Sequence, residues 1–376
     1  MGSGCKRSTA APAALPVPIA PARAAYVTNN GSDTVSVIDL DGARVETRSL
    51  DIEPGAHEAP HHLAVDGKAE AVFVALAFPT PPSSEPKGPH QGHGAADTRG
   101  KVARLALGTL AVTATIDVDP SPGDLVLTAD RSRVLVTHFD MKRALEAAMA
   151  GDPTSAMFAT LQVWDARTLK QIASRPLCVA PHGIAATKDG KTAIVACYGT
   201  DEVAFVDLTS PTLASARYAV GSSPGVPGAP RYGPYSVTLT PDESRVVVAN
   251  LEGASIRVFD VATKRFVREL EVTLGARAFM PAFVEPHVVV VPLQGPDGLV
   301  RIDVDKAEIL QRKSFEHDEC ASPHVARVAT DGKVYVVCEG DHVRSGAVIE
   351  IDPVTLAVRK RWEVGVYPDG IAFGDE

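Results

Sequence analysis

Long apolar runs are missing from this 376-residue chain. No stretch approaches the roughly 18 residues of a membrane span, which leaves a soluble body or one held by a lipid anchor. Aromatic residues are few at 5%. A surplus of positive charge is absent as well: 37 Lys and Arg face 46 Asp and Glu, for a net charge of −9. That balance excludes nucleic-acid binding through a whole-surface basic field, and no nucleic-acid partner is expected. No Cys-x-x-Cys-His occurs, so covalent c-type haem is excluded within this chain. Neither a Gly-x-Ser-x-Gly elbow nor a phosphate-cradling glycine loop is found. Gly (30) and Pro (29) are plentiful instead, so much of the chain turns rather than runs.

The N-terminus reads Met1-Gly2-Ser3-Gly4-Cys5 and carries no charged or apolar leader. Ser-Gly-Cys is how a bacterial lipobox ends, which makes Cys5 the candidate lipidation site and a periplasmic or cell-surface location the expectation. A vector remnant before a disordered terminus is the alternative. Residues 1–23 are rich in Ala and Pro and read as a disordered tether.

The other four cysteines lie in two look-alike segments, Cys178-Val-Ala-Pro-His182 with Cys197 and Cys320-Ala-Ser-Pro-His324 with Cys338. Two disulfides, each local to one repeat, are the favoured reading. Four buried free thiols or two Cys–His–Cys metal clusters are the alternatives.

A Pro, one variable residue and an apolar run recur seven times, at steps of about 42 to 62 residues: Pro60-His61, Pro122-Gly123, Pro181-His182, Pro234-Tyr235, Pro281-Ala282, Pro323-His324 and Pro368-Asp369. Turn signals such as Asp189-Gly190 and Asp331-Gly332 follow, then a β-branched strand. A third strand ends in Asp39, Asp165, Asp207, Asp260, Asp303 or Asp352, and a more polar fourth closes the unit, for example Arg265–Val272. These aspartates need only settle turns. Seven units of four antiparallel strands make an all-β, seven-bladed β-propeller over residues 24–376. The chain starts at a second strand and finishes on a lone first strand, Asp369–Phe373. The C-terminal strand is therefore expected to complete the N-terminal sheet and close the ring.

Tyr26-Val-Thr-Asn29 with Asp33–Asp39, Pro181-His-Gly-Ile-Ala185 and Pro368-Asp-Gly-Ile-Ala372 resemble the repeat of the YVTN family of propellers. The resemblance implies a seven-bladed fold and leaves function open among exported binding proteins, lactonase-like hydrolases and propeller parts of redox enzymes.

In such a fold the Pro-X positions ring one mouth of the central channel: His61, Gly123, His182, Tyr235, Ala282, His324 and Asp369. The three imidazoles would be separated by about 103°, 154° and 103°. With Asp369 as a further ligand and Tyr235 beside them, they could hold Zn, Cu or Fe; a structural ring of turn histidines is the alternative. His138 ends a second strand near the mouth and is a fourth candidate ligand. Two insertions overhang that face. Residues 77–100 are proline-rich and carry His90 and His93. Within residues 140–158, a helix is expected from Asp140 to Gly151, with Met141, Leu145 and Met149 as one apolar stripe that packs on the rim or offers a partner surface. The reading is an exported binding module for a small ligand or metal at the channel mouth, with another exported protein as a candidate partner on the insertion-bearing face and membrane association only through a lipid anchor. A metal-dependent lactonase-like hydrolase with Asp369 as base and a copper or iron redox protein are the alternatives.

Overall fold

A computed structural model of the chain describes residues 21, 23–79, 96 and 98–375. Cys5, His90 and His93 lie outside them, as does most of the 1–23 segment. The described strands form seven antiparallel sheets. Blade 1 spans 60–118, blade 2 122–179, blade 3 181–219, blade 4 234–273, blade 5 277–314 and blade 6 323–366. Blade 7 joins the last strand, Pro368–Phe373, to the first three, Ala24–Asn29, Thr34–Asp39 and Val45–Ser49. Ala25 pairs with Phe373, Tyr26 with Ala372 and Val27 with Ile371, so the two ends of the chain hydrogen-bond to each other.

Strands of this kind alternate their side chains between two faces, and here both faces are apolar in the middle strands (Ala71–Leu76 is buried throughout). Each blade therefore needs a neighbour on each side. Seven apolar layers provide them, one between every pair of adjacent blades. Tyr26, Val35 and Val37 of blade 7 meet Leu63, Val72 and Val74 of blade 1. Val325, Tyr335 and Val337 of blade 6 meet Ala25, Val27 and Ile371 of blade 7. Burying a Val or Leu side chain contributes about 1.5–3 kcal/mol.

The strand-end aspartates act as the repeat implies. Asp39 accepts from the amides of Asp41 and Gly42, Asp165 from those of Arg167 and Thr168, and Asp352 from those of Val354 and Thr355.

Two local expectations are corrected. The fourth strand of blade 4 does not run unbroken from Arg265 to Val272: it is split into Arg265–Phe266 and Val272–Thr273 by a turn at Arg268–Leu270. The helix α1 (Met141–Ala150) is capped by Asp140, which accepts from the Arg143 amide, but of its Met141–Leu145–Met149 stripe only Met141 packs on the protein. It buries Ala144 and Ala147, while Leu145 and Met149 are 60% and 73% exposed. Ala144 and Ala147, with Met141 beside them, seat the helix, and Leu145 and Met149 turn outward.

Two outcomes follow. Deleting residues 367–376 removes the strand that closes blade 7 and leaves Ala24–Asn29 unpaired on one edge. Loss of the cooperative melt, or aggregation, is expected in calorimetry; a truncated chain that melts like its parent would show that closure lies elsewhere. Acid should also weaken the fold. Hydrogen bonds donated by turn residues hold Asp165, Asp207, Asp260 and Asp352 below the usual carboxylate range, as does the Lys306 ammonium for Asp303. A carboxylate whose pKa is lower in the folded state contributes stability that is present above its ordinary pKa and lost as pH falls through the folded one. The melting temperature should hold from pH 7 to 5 and fall below about pH 4; a higher melting temperature at pH 3 than at pH 7 contradicts this.

Candidate functional site

Six of the seven blades begin with the same local device. The residue before the first-strand proline adopts a left-handed conformation at Ala59, Ser121, Ala180, Gly233, Ser322 and Tyr367, with φ between 46° and 56°. At non-glycine residues this costs about 1–3 kcal/mol and persists only where the surroundings impose it. Aspartates of the preceding blade hold three of these turns. Asp33 accepts from the amides of Glu58 and Ala59, Asp201 from those of Arg231, Tyr232 and Gly233, and Asp297 from that of Ser322. Immediately after the proline the pairing register slips, between Pro60 and Leu63, Pro122 and Leu125, Pro181 and Ile184, and Pro323 and Ala326. A bulge of this kind re-aims side chains, so that successive residues need not point to opposite faces.

Two disulfides brace the same turns, Cys178–Cys197 and Cys320–Cys338. They are not local to one blade. Cys178 ends the outer strand of blade 2 and Cys197 lies in blade 3; Cys320 is in the connection from blade 5 and Cys338 in blade 6. The sequence repeat is offset from the blade, because the segment before each Pro still belongs to the connection out of the preceding blade.

Beside these turns lies a buried cluster of imidazoles and carboxylates. His61, His182, His324 and Asp369 are each fully buried and Tyr235 is 2% exposed. His61 Nδ1 bonds Asp369 Oδ2. His324 Nδ1 lies 2.8 Å from Asp369 Oδ1 and 3.1 Å from Glu339 Oε1. His182 donates to the Tyr235 carbonyl at 3.1 Å and its ring stacks on that of Tyr235 at 3.8 Å. The Tyr235 hydroxyl is 3.3 Å from His324 Nε2.

Three residues at the cluster escape a reading of the Pro-X ring. His62, 4% exposed, has its ring 4.2 Å from that of His61, 5.7 Å from that of His182 and 6.1 Å from that of His324. Asp124 holds His62 Nδ1 at 2.6 Å and also accepts from the Ile184 amide, which ties blades 1, 2 and 3 together. Glu339 follows Cys338 and is bonded at 2.8 Å to His342, which stacks on Tyr367. The one available signal was position: His62 and Asp124 stand one place beyond a ring residue, and Glu339 one beyond the cysteine paired with Pro323. Strict alternation would have turned His62 and Asp124 away.

His138 does not join the cluster. Its Nδ1 bonds the Thr160 carbonyl at 3.0 Å, toward the third strand of its own blade, and burial pushes its pKa down to about 4. Gly123 and Ala282 bring no ligand atom to the ring. Gly183 allows the close approach of blades 3 and 4 beneath it: a Cβ there would lie 2.5 Å from Ser236 Cα.

Burial and charge pull in opposite directions here. Burial opposes ionisation of Asp369, yet the charge of His61 and the hydrogen bonds from His324 and His61 outweigh it and keep that carboxyl well below the usual range. Burial favours the neutral form of His61 and prevails over Asp369, lowering its pKa. It disfavours the charged form of His324 too, but Glu339 and Asp369 together raise that pKa. Burial lifts the Tyr235 hydroxyl well above its ordinary range, so the phenol is neutral at pH 7. Two sets of side chains place ligand atoms within 4.8 Å of one another: His61, His62 and Asp369, and His324, Glu339 and Asp369. His182 belongs to neither but stands beside the first, its ring 5.7 Å from that of His61. A cavity of about 760 Å³ lies elsewhere, at the rim of blade 6 along Cys320, Arg344 and Arg361. None of the ring residues lines it, and the convergence of ionisable groups is the stronger pointer to function.

No protein-family model and no curated protein sequence matches the chain. Solved structures do resemble it. A functionally unknown protein from Desulfotomaculum acetoxidans has a TM-score of 0.66 at 14% identity, covering 94% of this chain and 99% of its own. The periplasmic gluconolactonase of Pseudomonas aeruginosa has a TM-score of 0.65 at 16% identity, covering 93% and 98%. The hydrazine synthase of Kuenenia stuttgartiensis has a TM-score of 0.61 at 16% identity, covering 86% and 91%. At these identities the likeness establishes the shared propeller fold.

The disulfides supply the prediction here. Replacing Cys178 and Cys197 by Ser should cost about 2–4 kcal/mol in denaturant unfolding. Unchanged stability, or four alkylatable thiols in air-exposed protein, would contradict the bracing role.

Proposed function

We propose that this chain is an exported propeller of the YVTN-repeat kind that binds a transition metal, Zn, Cu or Fe, in the imidazole–carboxylate cluster at the mouth of its channel. The observation that carries the reading is His62. Asp124 accepts a hydrogen bond from Nδ1–H, which leaves the lone pair on Nε2, and that nitrogen has no hydrogen-bond partner among the described residues. Leaving such an atom buried and unsatisfied costs about 1–3 kcal/mol. Carboxylate–imidazole–metal is the arrangement that uses it, the outer carboxylate setting tautomer and orientation. His182 is oriented in the same way by the Tyr235 carbonyl. Neutral imidazoles with carboxylates form a donor set suited to these metals.

Export is supported by the two disulfides, which persist in oxidising compartments. A lipid anchor on Cys5 is the matching proposal for the N-terminus. Among the described residues no helix is long and apolar enough to cross a membrane. The outward-facing Leu145 and Met149 on α1 support a contact with another exported protein.

A second reading, a metal-dependent lactonase-like hydrolase, draws on Asp369, which is held ionised as a base would have to be. Full burial of His61, His182, His324 and Asp369 favours a bound ion over a sugar-sized substrate at that place.

Elemental analysis of tag-free protein tests the reading. It should carry at least one equivalent of transition metal, and removing that metal should lower the melting temperature, because an ion bound only by the folded state stabilises it. His61→Ala should lose metal and His90→Ala should keep it. Protein that carries no metal and melts identically with and without added Zn²⁺, Cu²⁺ or Fe²⁺ would overturn the proposal; retention in His61→Ala with loss in His90→Ala would move the site to the 77–100 insertion. A visible absorption band would favour copper or iron, and turnover of a lactone panel would favour the hydrolase.

A further inference from the structure

The two ligand sets at the mouth share one residue, and they meet it from opposite sides. Asp369 Oδ2 is bonded by His61, which stands in one set with His62. Asp369 Oδ1 lies 2.8 Å from His324, which stands in the other with Glu339. The five side chains fall into two groups, the ligand atoms of each within 4.8 Å of one another, and Asp369 is the member they share.

We propose that the mouth of the channel binds two metal ions, one on His61 and His62 and the other on His324 and Glu339, with the carboxylate of Asp369 bridging them. This rests on the metal-binding reading above and adds the number of ions and the bridge. Each outer ligand is held from behind. Asp124 fixes His62 through Nδ1, leaving Nε2 of a 4% exposed side chain without a hydrogen-bond partner among the described residues. Glu339 is held through Oε2 by His342 at 2.8 Å and through Oε1 by Gln294 at 3.3 Å. Outer partners of this kind set ligand orientation and affinity. The charges suit a pair of cations as well: Asp124, Glu339 and Asp369 are buried within one cluster, and buried carboxylates are retained where they are paired or bind metals. Mixed imidazole and carboxylate donors fit Zn²⁺, Mn²⁺ or Fe²⁺. A carboxylate-bridged pair, about 3.5–4 Å apart, supplies a shared Lewis-acid centre.

Chelator-stripped, tag-free protein reloaded with Zn²⁺ alone and dialysed should hold two equivalents per chain by elemental analysis, with the same stoichiometry in titration calorimetry. His62→Ala and Glu339→Gln should each fall to one equivalent, and their combination to none, with circular dichroism confirming that each variant is folded. Mn²⁺ loading of the unaltered protein gives a reading that needs no variant: two bridged ions should show a spin-coupled paramagnetic resonance spectrum. One equivalent with an uncoupled spectrum overturns the bridged pair and leaves the single-ion reading standing; no bound metal overturns both. Two equivalents with no coupling, or His62→Ala and Glu339→Gln both retaining two, overturn the bridge as well.

Discussion

Pairing between the first and last strands is the constraint from which the rest of the structure follows. Ala25, Tyr26 and Val27 hydrogen-bond across to Phe373, Ala372 and Ile371, and this one ladder turns seven sheets in a row into a ring. A row of blades would leave an apolar face bare at each end, because the middle strands are apolar on both sides. In the ring every face meets another. The same ladder carries Asp369 into register beside His61, 308 positions away in the chain, so closure and the assembly of the mouth are one event.

Around that mouth the fold spends stability to place side chains. Left-handed residues precede six of the seven first strands, five of them not glycine. Aspartates reaching over from the preceding blade and the two disulfides hold most of these turns, and the bulges behind them turn His61 and His62 into one cluster. Such outliers gather where geometry is imposed for a purpose. The ionic balance points the same way. Three carboxylates and four imidazoles share a space with little access to water, where an unpaired charge is expensive and a bound cation is stabilised.

Much of this was legible in the residues. The Pro-X repeat marks seven first strands, the strand-end aspartates mark the turns, and the phase of the ends implies closure. All three work through local chemistry: a fixed φ, a carboxylate over amides, a two-residue alternation. The ring residues His61, His182, His324 and Asp369 were legible for the same reason, since equivalent positions in a repeat become neighbours once the repeat closes. His62, Asp124 and Glu339 were not, because alternation assigns one residue beyond a ring position to the opposite face, and only the bulge reverses it. The stripe on α1 misled for a related reason. Spacing identifies which side chains share a face but not whether that face or the small-residue one meets the protein.

Sequence by itself determined the architecture, its seven units and its closure, and favoured the two cysteine pairs, because each depends on patterns repeated within short range. Tertiary structure alone decided which nitrogen of which histidine meets which carboxylate, that Asp369 stands between two sets of ligands, and that His138 turns toward Thr160. Those outcomes depend on slips of a single residue in strand register and on contacts between segments hundreds of positions apart, and no local pattern encodes a sum over the whole ring.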